Sequence, residues 1–441
     1  MARRLRARHR SLEPAMVVRI HPGQSPHPSS PLTAPLLLPF LTVTVLAAAP
    51  ATAQGTGAAL PRDSLQLLRE ARDAQARFER VRRRRAPEAA GGWSGNCDEI
   101  VGRMCLRLQP MGDWWPRPEA PEVVDARTAL LETLEAAGRT LPGDIWLLGQ
   151  TVVYLVEAGR SGEALARARR CGPVDRAWCA ALAGYVLHTQ QRYLEAEGAF
   201  RTALAEMDDA EARRWTDPRV LLDGDGRHVL DRASPGDREI LQDLLWEMSD
   251  PLFLVEGNDR WSEHLARQVV VRTREDAENP YALRWGDDLA ETVLRYGWEV
   301  GWERVEPRPP GMALASHAVG HQHPESRPHM PPGAALVSPD ATGPADWNPG
   351  SRILPRTGYA PGYAPVFLPA DAEILRVPRG DSLILVALLS LPEDTTYHKE
   401  HLHDPLPIPE AFRGRSPEVG LFAQRGGALV AGERRPGVRG A

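Results

Sequence analysis

The fold of this chain is decided by the stretch AWCAALAGYVLHTQQRYLEAEGAFRTALAEMD, residues 177–208. Apolar residues recur in it at helical spacing on either side of a polar break, which predicts two helices joined by a short turn. Gly184 and Ala196 are small enough to let the two helices approach closely, and the rings of Tyr193 and Phe200 fill the space between units. We therefore expect a helical hairpin that packs against similar units.

The small and aromatic residues of this hairpin resemble the packing positions of the tetratricopeptide repeat, at Gly184, Tyr193, Ala196, Phe200 and Ala203. The preceding segment, residues 145–171, matches less well, because Ala164 stands 32 residues before Ala196 and the family period is about 34. Residues 124–141 supply a helix of a still earlier unit. The resemblance implies a short helical solenoid over residues 122–215 that binds a protein partner on its concave surface. A bundle of helical hairpins with the same packing is the alternative.

Residues 249–297 carry a second pattern of charged and aromatic residues. Its members are Asp259, Arg260, Glu263, Trp285, Asp288, Arg295 and Tyr296. Their order and spacing resemble the GWxTD domain, a family found in exported bacterial proteins, and the segment that carries it is residues 240–306. Arg284, Asp287 and the pair Trp298-Glu299 replace residues of the family pattern. The family has no established chemistry, so the resemblance implies ancestry and not a reaction.

The chemistry of the same residues favours a structural role. Arg260, Glu263, His264 and Arg267 fall on one face of a predicted helix, where guanidinium and carboxylate groups form paired hydrogen bonds. An acid pair such as Asp287-Asp288 has the groups for acid–base catalysis, but side chains adjacent on a chain usually point apart. We therefore favour a buried network of arginine and acidic residues that fixes the fold.

Strands are expected towards the C-terminus. Residues 292–296 predict a strand that ends at Gly297, with residues 302–305 as its hairpin partner. Residues 307–364, rich in Pro, Gly and His, predict a linker or an irregular binding loop. Residues 365–441 predict a small antiparallel β domain with too few strands for a sandwich, so it is expected to be incomplete or to pair with another chain. The strands of this domain are expected at residues 372–377, 382–391, 421–422 and 428–430. The predicted fold class is therefore α+β, in which a helical-repeat region precedes a GWxTD-like α+β segment and the small β domain.

Residues 1–53 have the pattern of a secretory signal peptide. An arginine-rich region precedes an apolar run at residues 35–49, and Ala51-Thr52-Ala53 supplies a small-residue cleavage site. The run is shorter than the ~20 residues that a membrane span needs, so we expect no transmembrane span in the mature chain; an uncleaved anchor is the alternative. Residues 54–121 predict an N-terminal helix at 61–86 followed by a loop that bears cysteine.

Export bears on the four cysteines, Cys97, Cys105, Cys171 and Cys179. An even number of cysteines in an oxidising compartment favours disulfides. The pair Gly172-Pro173 breaks any helix between the last two cysteines, which lets them approach each other. We favour the two local pairs, Cys97–Cys105 and Cys171–Cys179. Four cysteines allow three connectivities, and all three stay open.

The charge of the chain bears on its partners and location. The six arginines and one glutamate of residues 1–53 carry +5 of a formal net charge of −5, so the rest of the 441-residue chain carries −10. We expect no nucleic-acid partner, because nucleic-acid binding rests on basic residues that neutralise phosphates. The mature protein is expected in the periplasm, at the outer membrane or outside the cell.

Two histidine tracts are the main candidates for a metal site. They comprise His317, His321 and His323, and His398, His401 and His403. Neutral imidazoles are ligands for Zn²⁺ and other transition metals, and two tracts can converge on one ion. Solvated loops that bind metal adventitiously are the alternative, so no cofactor is firmly indicated.

The sequence thus predicts a non-catalytic, exported scaffold for protein–protein interaction. It contains no H-E-x-x-H, G-x-S-x-G or Walker motif. A His-ligated metal-binding protein or metal-dependent hydrolase of the cell envelope is the alternative. A peptidase or glycosidase built on Asp287, Asp288 and Glu263 has the least support.

Overall fold

A computed structural model describes most of the central region of the chain. The described residues are 16–20, 62–89, 99–106, 115–170, 175–251, 255–305, 317–324, 326–338, 342, 357–363, 371–379, 382–390, 418–425 and 428–436. Most of the predicted signal peptide, residues 1–53, lies outside them.

Helices make up most of the described regular structure. They are α1 (Arg62–Arg85), α2 (Pro121–Thr140), α3 (Ile145–Glu157), α4 (Ser161–Arg169), α5 (Arg176–Thr189), α6 (Tyr193–Glu206), α7 (Asp209–Thr216), α8 (Gly224–Arg232), α9 (Pro235–Ser249), α10 (Asp259–Arg274), α11 (Asp287–Tyr296) and α12 (Gly333–Val337), with a 3₁₀ turn at Pro218–Leu221. The strands are β1 (Met16–Ile20), β2 (Glu99–Val101), β3 (Met104–Leu106), β4 (Gly301–Val305), β5 (His317–His321), β6 (Asp371–Arg379), β7 (Ser382–Ser390), β8 (Glu418–Arg425) and β9 (Ala428–Pro436). The fold class is α+β, mostly helical with small antiparallel sheets.

The chain divides into two units. The first comprises residues 1–61, 369–392 and 438–441. In this unit β7 pairs antiparallel with both β1 and β6, and Ile374 of β6 stands opposite Ala387 of β7. The β6–β7 pair confirms the strands predicted at residues 372–377 and 382–391.

The second unit comprises residues 62–368 and 393–437, and its helices pack as successive pairs, α1 with α2, α3 with α4 and α5 with α6. The last pair confirms the two helices predicted in residues 177–208. A Cβ atom on Gly184 would lie 2.8 Å from the Phe200 ring, so glycine is what allows α5 and α6 to approach so closely. The antiparallel pair β8–β9 in this unit confirms the last two predicted strands.

Aspartates fix where the first helices of two pairs begin. The carboxylate of Asp144 accepts a hydrogen bond from the Leu147 amide, and that of Asp175 accepts one from the Trp178 amide. Such caps satisfy amide groups that have no partner within the helix. They set the register in which α3 and α5 present their apolar faces to the core.

Helix α10 lies across the first helix of every pair. Near its end, Arg274 contacts Glu79 of α1 at 3.0 Å and Tyr154 of α3 at 2.9 Å, and near its start Glu263 lies 2.6 Å from His188 of α5. One apolar core joins these helices, and its fully buried members include Phe78, Leu134, Tyr154, Leu182, Phe200, Leu265 and Val269. The chain itself therefore fills the side of the stack that α1, α3 and α5 form.

Residues 292–296 belong to α11, so the predicted strand was wrong. Leu289, Val293 and Tyr296 recur at helical spacing and are buried on one face of this helix. Acidic residues in its first turn favour the helix through its macrodipole. The helix ends at Gly297, whose φ of +86° is a conformation that glycine adopts readily.

Residues 302–305 form a strand as predicted, but the predicted partner was wrong. Because α11 replaces the expected strand, β4 pairs antiparallel with β5 instead. Arg327, Thr357 and Tyr359 are buried, and the backbones of Arg327 and Tyr359 exchange hydrogen bonds of 2.8 and 2.7 Å. Part of the expected linker, residues 307–364, therefore packs into the helical unit.

Two smaller features complete the second unit. The segment that bears Cys105 forms the hairpin β2–β3. Leu222, Leu230, Leu245 and Leu336 form a separate small core between α8, α9 and α12. Among the described residues, no helix combines the length and apolarity needed to cross a membrane.

Candidate functional site

The charged face of α10 is where several motif residues meet. Asn258 caps this helix by accepting the Trp261 amide at 2.8 Å, which places Asp259, fully buried, in the first turn. One Asp259 oxygen accepts hydrogen bonds from the hydroxyls of Tyr359 at 2.7 Å and Tyr363 at 3.2 Å. Burial raises the pKa of Asp259, although the two phenol donors oppose this rise. Asp259 thereby ties residues 357–363 to the start of α10.

Glu263 connects α10 to α5. Its two carboxylate oxygens lie 2.6 Å from Nε2 of His188 and 2.6 Å from Nε of Arg267. Burial alone would raise the pKa of Glu263, but Arg267 and His188 hold it well below its usual range. Arg267 also donates to the carbonyls of Arg295 at 2.9 Å and Gly358 at 2.6 Å. This ion pair therefore gathers α5, the end of α11 and residues 357–363 around α10.

The sequence predicted that Arg260 would pair with a carboxylate, but its contacts are of another kind. Its fully buried guanidinium donates to the Thr357 hydroxyl at 2.8 Å and lies 5.7 Å from the centre of the Tyr359 ring. Burial and the neighbouring charge of Arg267 lower the pKa of Arg260 to about 9. Within the described residues, its Nε and Nη1 have no hydrogen-bond partner. A hydroxyl and an aromatic face, instead of a carboxylate, keep Arg260 in place.

Ser262, His188 and Glu263 unite the three kinds of group that form a hydrolase triad. His188 Nδ1 lies 2.9 Å from the Ser262 hydroxyl, and Nε2 of the same ring contacts Glu263. Ser262 is fully buried, however, and its hydroxyl donates to the Asp259 carbonyl at 3.1 Å. A nucleophile needs space for a reacting atom of the substrate. In the described part of the chain, the cluster anchors α10 to α5 and its Ser262 hydroxyl is buried.

Asp288, Arg295 and Tyr296 form a second network with the hairpin β2–β3. The Asp288 carboxylate accepts hydrogen bonds from Nε of Arg103 at 2.6 Å and from the Arg103 backbone amide at 3.0 Å. These hydrogen bonds hold the pKa of Asp288 well below its usual range. The side chains of Arg295 and Tyr296 both donate to the Glu99 carboxylate. The motif residues thus divide between two networks, and each fastens a different segment to the helices.

The residues predicted to pack the repeats are buried as a group, at Tyr193, Ala196, Phe200 and Ala203. The Phe200 ring meets Trp261 of α10 edge-on at 6.4 Å, and the Tyr193 ring meets His188 at 5.2 Å. Trp285 packs against both the main core and the core beneath the β2–β3 hairpin. Phe200 therefore fills the space towards α10, a neighbour that its sequence position did not indicate.

An open cavity of about 230 Å³ lies where the end of α1, the start of α2 and residues 298–302 meet. Its charged lining residues are Arg82, Arg85, Arg117, Arg127, Glu119, Glu157 and Glu299. The rings of Trp298 and Trp302, 5.8 Å apart, form an aromatic wall. The arginine run at 82–85 and the tryptophans are visible in the sequence, but no sequence signal predicted that they would meet.

Ion pairs fix the inner arginines of the cavity. Arg82 donates to Glu157, and Arg127 donates to Glu119. Glu157 also accepts Arg274 at 2.6 Å. Burial alone would raise the pKa of Glu157, but Arg82, Arg274 and Arg127 hold it below its usual range. The inner wall is therefore a set of charges with fixed positions.

Glu299 is a buried carboxylic acid in the wall of the cavity. Its carboxylate accepts the Tyr281 hydroxyl at 2.5 Å, and burial raises the pKa of Glu299 to about 7. At neutral pH this group is only partly ionised. Each lining arginine has a carboxylate partner, in the pairs Arg82–Glu157, Arg127–Glu119, Arg85–Glu122 and Arg117–Glu303. The cavity wall therefore combines ion pairs with the two tryptophan rings.

The predicted cysteine and histidine sites are described only in part. Cys105 and Cys179 are each disulfide-bonded, whereas Cys97 and Cys171 lie outside the described residues, so the connectivity stays a prediction.

Of the histidines, His321 Nε2 lies 3.2 Å from a Glu303 oxygen, and the His323 ring meets Trp115 edge-on at 5.8 Å. His317 stands opposite Val305 in the β4–β5 register, and His398, His401 and His403 lie outside the described residues. Over the described ranges, no three His, Cys, Asp or Glu side chains are grouped to hold a metal ion.

Sequence reasoning found the charged face of α10 and missed the cavity. The α10 residues share one helix, so their spacing revealed them, whereas the cavity is assembled from segments more than 200 residues apart in the chain. Comparison of the chain with protein-family models, curated proteins and solved structures finds no match.

Proposed function

We propose that this protein is an exported, non-catalytic scaffold, built on tetratricopeptide-like helical hairpins and a GWxTD-like segment, that binds a protein partner at the rim of the cavity. The observation that carries the proposal is the meeting of arginine guanidinium groups and tryptophan rings at an open cavity. Tryptophan and arginine are enriched among the residues that dominate binding energy at protein interfaces. The export signal of residues 1–53 supports the proposed location.

The rim of the cavity has the mixed character of an interface. Val300 lines the cavity and is 43 % exposed. Burying exposed apolar side chains beside charged groups is the usual basis of recognition between proteins. The side of the stack formed by α1, α3 and α5 is filled by α10, so we place the partner at the cavity rim instead of the expected concave surface.

The buried polar groups between α5 and α10 support the non-catalytic part of the proposal. His188, Ser262 and Asp259 are buried and bonded to one another or to neighbouring segments. Their interactions hold secondary-structure elements together. Retained partner binding in a folded His188→Asn variant is the corresponding expectation.

Site-specific photo-cross-linking tests the proposal. A photoreactive residue at Val300 should give one discrete protein adduct in the cell envelope. The matched control is Ile240 on α9, which is 64 % exposed and does not line the cavity. Identical adducts at both positions, or none at Val300, would contradict binding at the rim.

The alternative proposal, a His-ligated metal site, rests on the two histidine tracts. Metal analysis of the mature chain, purified without tag or chelator, tests it. One equivalent of Zn or Cu that is lost in both His398→Ala and His401→Ala would favour this alternative. Metal content at background would remove it.

A further inference from the structure

We propose that the cavity binds a small organic acid, that is, a carboxylate joined to an aromatic or aliphatic body. The inference concerns the interior of the cavity between α1, α2 and residues 298–302. It stands independently of whether a protein partner binds at the rim.

Two arginines at the cavity are available for a carboxylate. Arg85 and Arg117 have side chains that are 57 % and 49 % exposed. Their ion pairs, with Glu122 at 3.6 Å and Glu303 at 3.8 Å, are longer than a hydrogen bond. The Arg85–Glu122 pair is exposed on both sides and contributes little to stability. Glu303 is buried, and it keeps its 3.2 Å contact with His321 when Arg117 turns away. Both guanidinium groups can therefore turn towards a ligand.

The inner arginines hold fixed positions behind those two. Arg82 and Arg127 are buried, and their terminal nitrogens are held by Glu157 and Glu119. A charge that is already positioned loses little freedom when the ligand arrives. The ligand carboxylate would therefore meet two exposed donors at the rim, in front of an ordered wall of ion pairs.

The remaining lining selects the body of the ligand. Trp298 and Trp302 supply an apolar face, and Trp298 is itself held by the guanidinium of Arg274 at 4.3 Å from its ring centre. The volume of about 230 Å³ is below the ~300–1,000 Å³ of pockets for drug-sized ligands. One aromatic ring or branched alkyl group with a carboxylate suits this space. An inorganic anion would leave the tryptophan wall without a contact.

Isothermal titration calorimetry of the mature chain, residues 54–441, tests the chemistry with three probes. Phenylacetate carries both features, phenylacetamide lacks the charge, and acetate lacks the apolar body. We expect phenylacetate to bind with a Kd below about 1 mM and the other two to bind at least about tenfold more weakly. Equal binding of phenylacetate and phenylacetamide, or no binding of phenylacetate at this concentration, overturns the proposal.

The C-terminus of a polypeptide also joins a carboxylate to an apolar side chain. A further titration therefore distinguishes a free organic acid from a polypeptide C-terminus. The probe is an N-acetylated pentapeptide of alanines ending in phenylalanine with a free carboxylate. Weaker binding than that of phenylacetate supports a free acid as the ligand. Tighter binding overturns that assignment and gives the cavity to the end of a polypeptide.

Variants locate the binding. The double variant Arg85→Gln with Arg117→Gln should lose at least about tenfold in phenylacetate affinity. The matched control is Arg84→Gln, an exposed neighbour on α1 that does not line the cavity, and it should bind as the wild type does. Unfolding curves of all three proteins establish that they are folded. Equal affinities of the double variant and the control place the ligand elsewhere and overturn the inference.

Discussion

Glu299 is 7 % exposed and shares a 2.5 Å hydrogen bond with the Tyr281 hydroxyl beside the cavity. Burial raises its pKa to about 7, whereas the pKa in an unfolded chain is about 4.3. The folded protein therefore binds this proton more tightly than the unfolded chain. The resulting stability is fully present below pH ~4.3 and is lost as the pH rises through about 7.

The variant Glu299→Gln should remove this pH dependence, because glutamine keeps the acceptor for Tyr281 and cannot ionise. Relative to the wild type, we expect its free energy of unfolding to gain about 3 kcal/mol between pH 4 and pH 8. Urea unfolding of both proteins across this range measures the difference. A difference between the two proteins that stays constant with pH would show that Glu299 does not titrate in this way.

The variant Glu263→Gln tests the network on α10. It leaves the buried guanidinium of Arg267 without its charged partner and weakens the contact with His188. Breaking a buried pair in this way costs about 3–5 kcal/mol, which chemical denaturation would detect. The control Glu195→Gln removes an exposed pair with Arg192 and should leave the unfolding curve unchanged. Similar losses in both variants would contradict the structural role of Glu263.

Spacing was enough to predict which residues share the polar face of α10. Arg260, Glu263, His264 and Arg267 are buried or nearly so, and burial lowers the pKa of His264 to about 3 while its Nε2 donates to the Trp215 carbonyl at 2.9 Å. Spacing did not reveal that Tyr359 would reach Asp259, since 100 residues separate them. A helix pattern specifies a face but carries no information about a distant segment that covers it.

At the scale of elements, the contact between α5 and α6 offers a matched pair of glycines. Gly184→Val should destabilise the protein by about 1–3 kcal/mol, because even a Cβ atom would lie 2.8 Å from the Phe200 ring. Gly198→Ala on α6 meets no atom within 4 Å and should gain up to about 1 kcal/mol from helix propensity. Thermal unfolding of both variants checks the two signs. A Gly184→Val variant as stable as the wild type would refute the close approach.

The same scale shows where local patterns mislead. Residues 292–296 contain β-branched and aromatic side chains that favour a strand, but the apolar face that begins at Leu289 continues through Tyr296 at helical spacing. The helical spacing is evident only when the whole segment from Asp287 to Tyr296 is considered. The wrong prediction of a partner for β4 followed from this error, because residues 292–296 form a helix and cannot pair with a strand.

At the scale of the whole molecule, the export prediction has a direct test. Protein recovered from the periplasm should begin at Gln54 and carry its four cysteines as two disulfides. Intact mass and thiol alkylation measure both properties. Reduction should lower the Tm, because a disulfide restricts the unfolded chain and so stabilises the folded protein by about 2–4 kcal/mol.

Cytosolic protein that lacks residues 1–53 is the control, and it should contain free thiols. A retained N-terminus, or alkylation of Cys105 or Cys179 without prior reduction, would contradict the prediction.

Fold class and most helices of the described chain followed from the sequence, whereas their assembly did not. The pairs α3–α4 and α5–α6 involve neighbouring segments, and short connections make such contacts predictable. The placement of α10 across α1, α3 and α5 depends on tertiary packing among distant side chains. The cavity is a product of that assembly, so it also escaped prediction.

The late position of α10 in the chain delays completion of the helical core during synthesis. Arg274 contacts Glu79 across 195 residues of chain, and ribosomes add about 5–20 residues per second. Helix α1 therefore waits about 10–40 s for the end of α10, which completes the common core. During this interval Phe200 and Tyr154 lack their α10 neighbours, and nascent chains in that state are prone to aggregate. Export in an unfolded form, held by a chaperone until residues 259–274 have been made, would spare the protein this exposed intermediate.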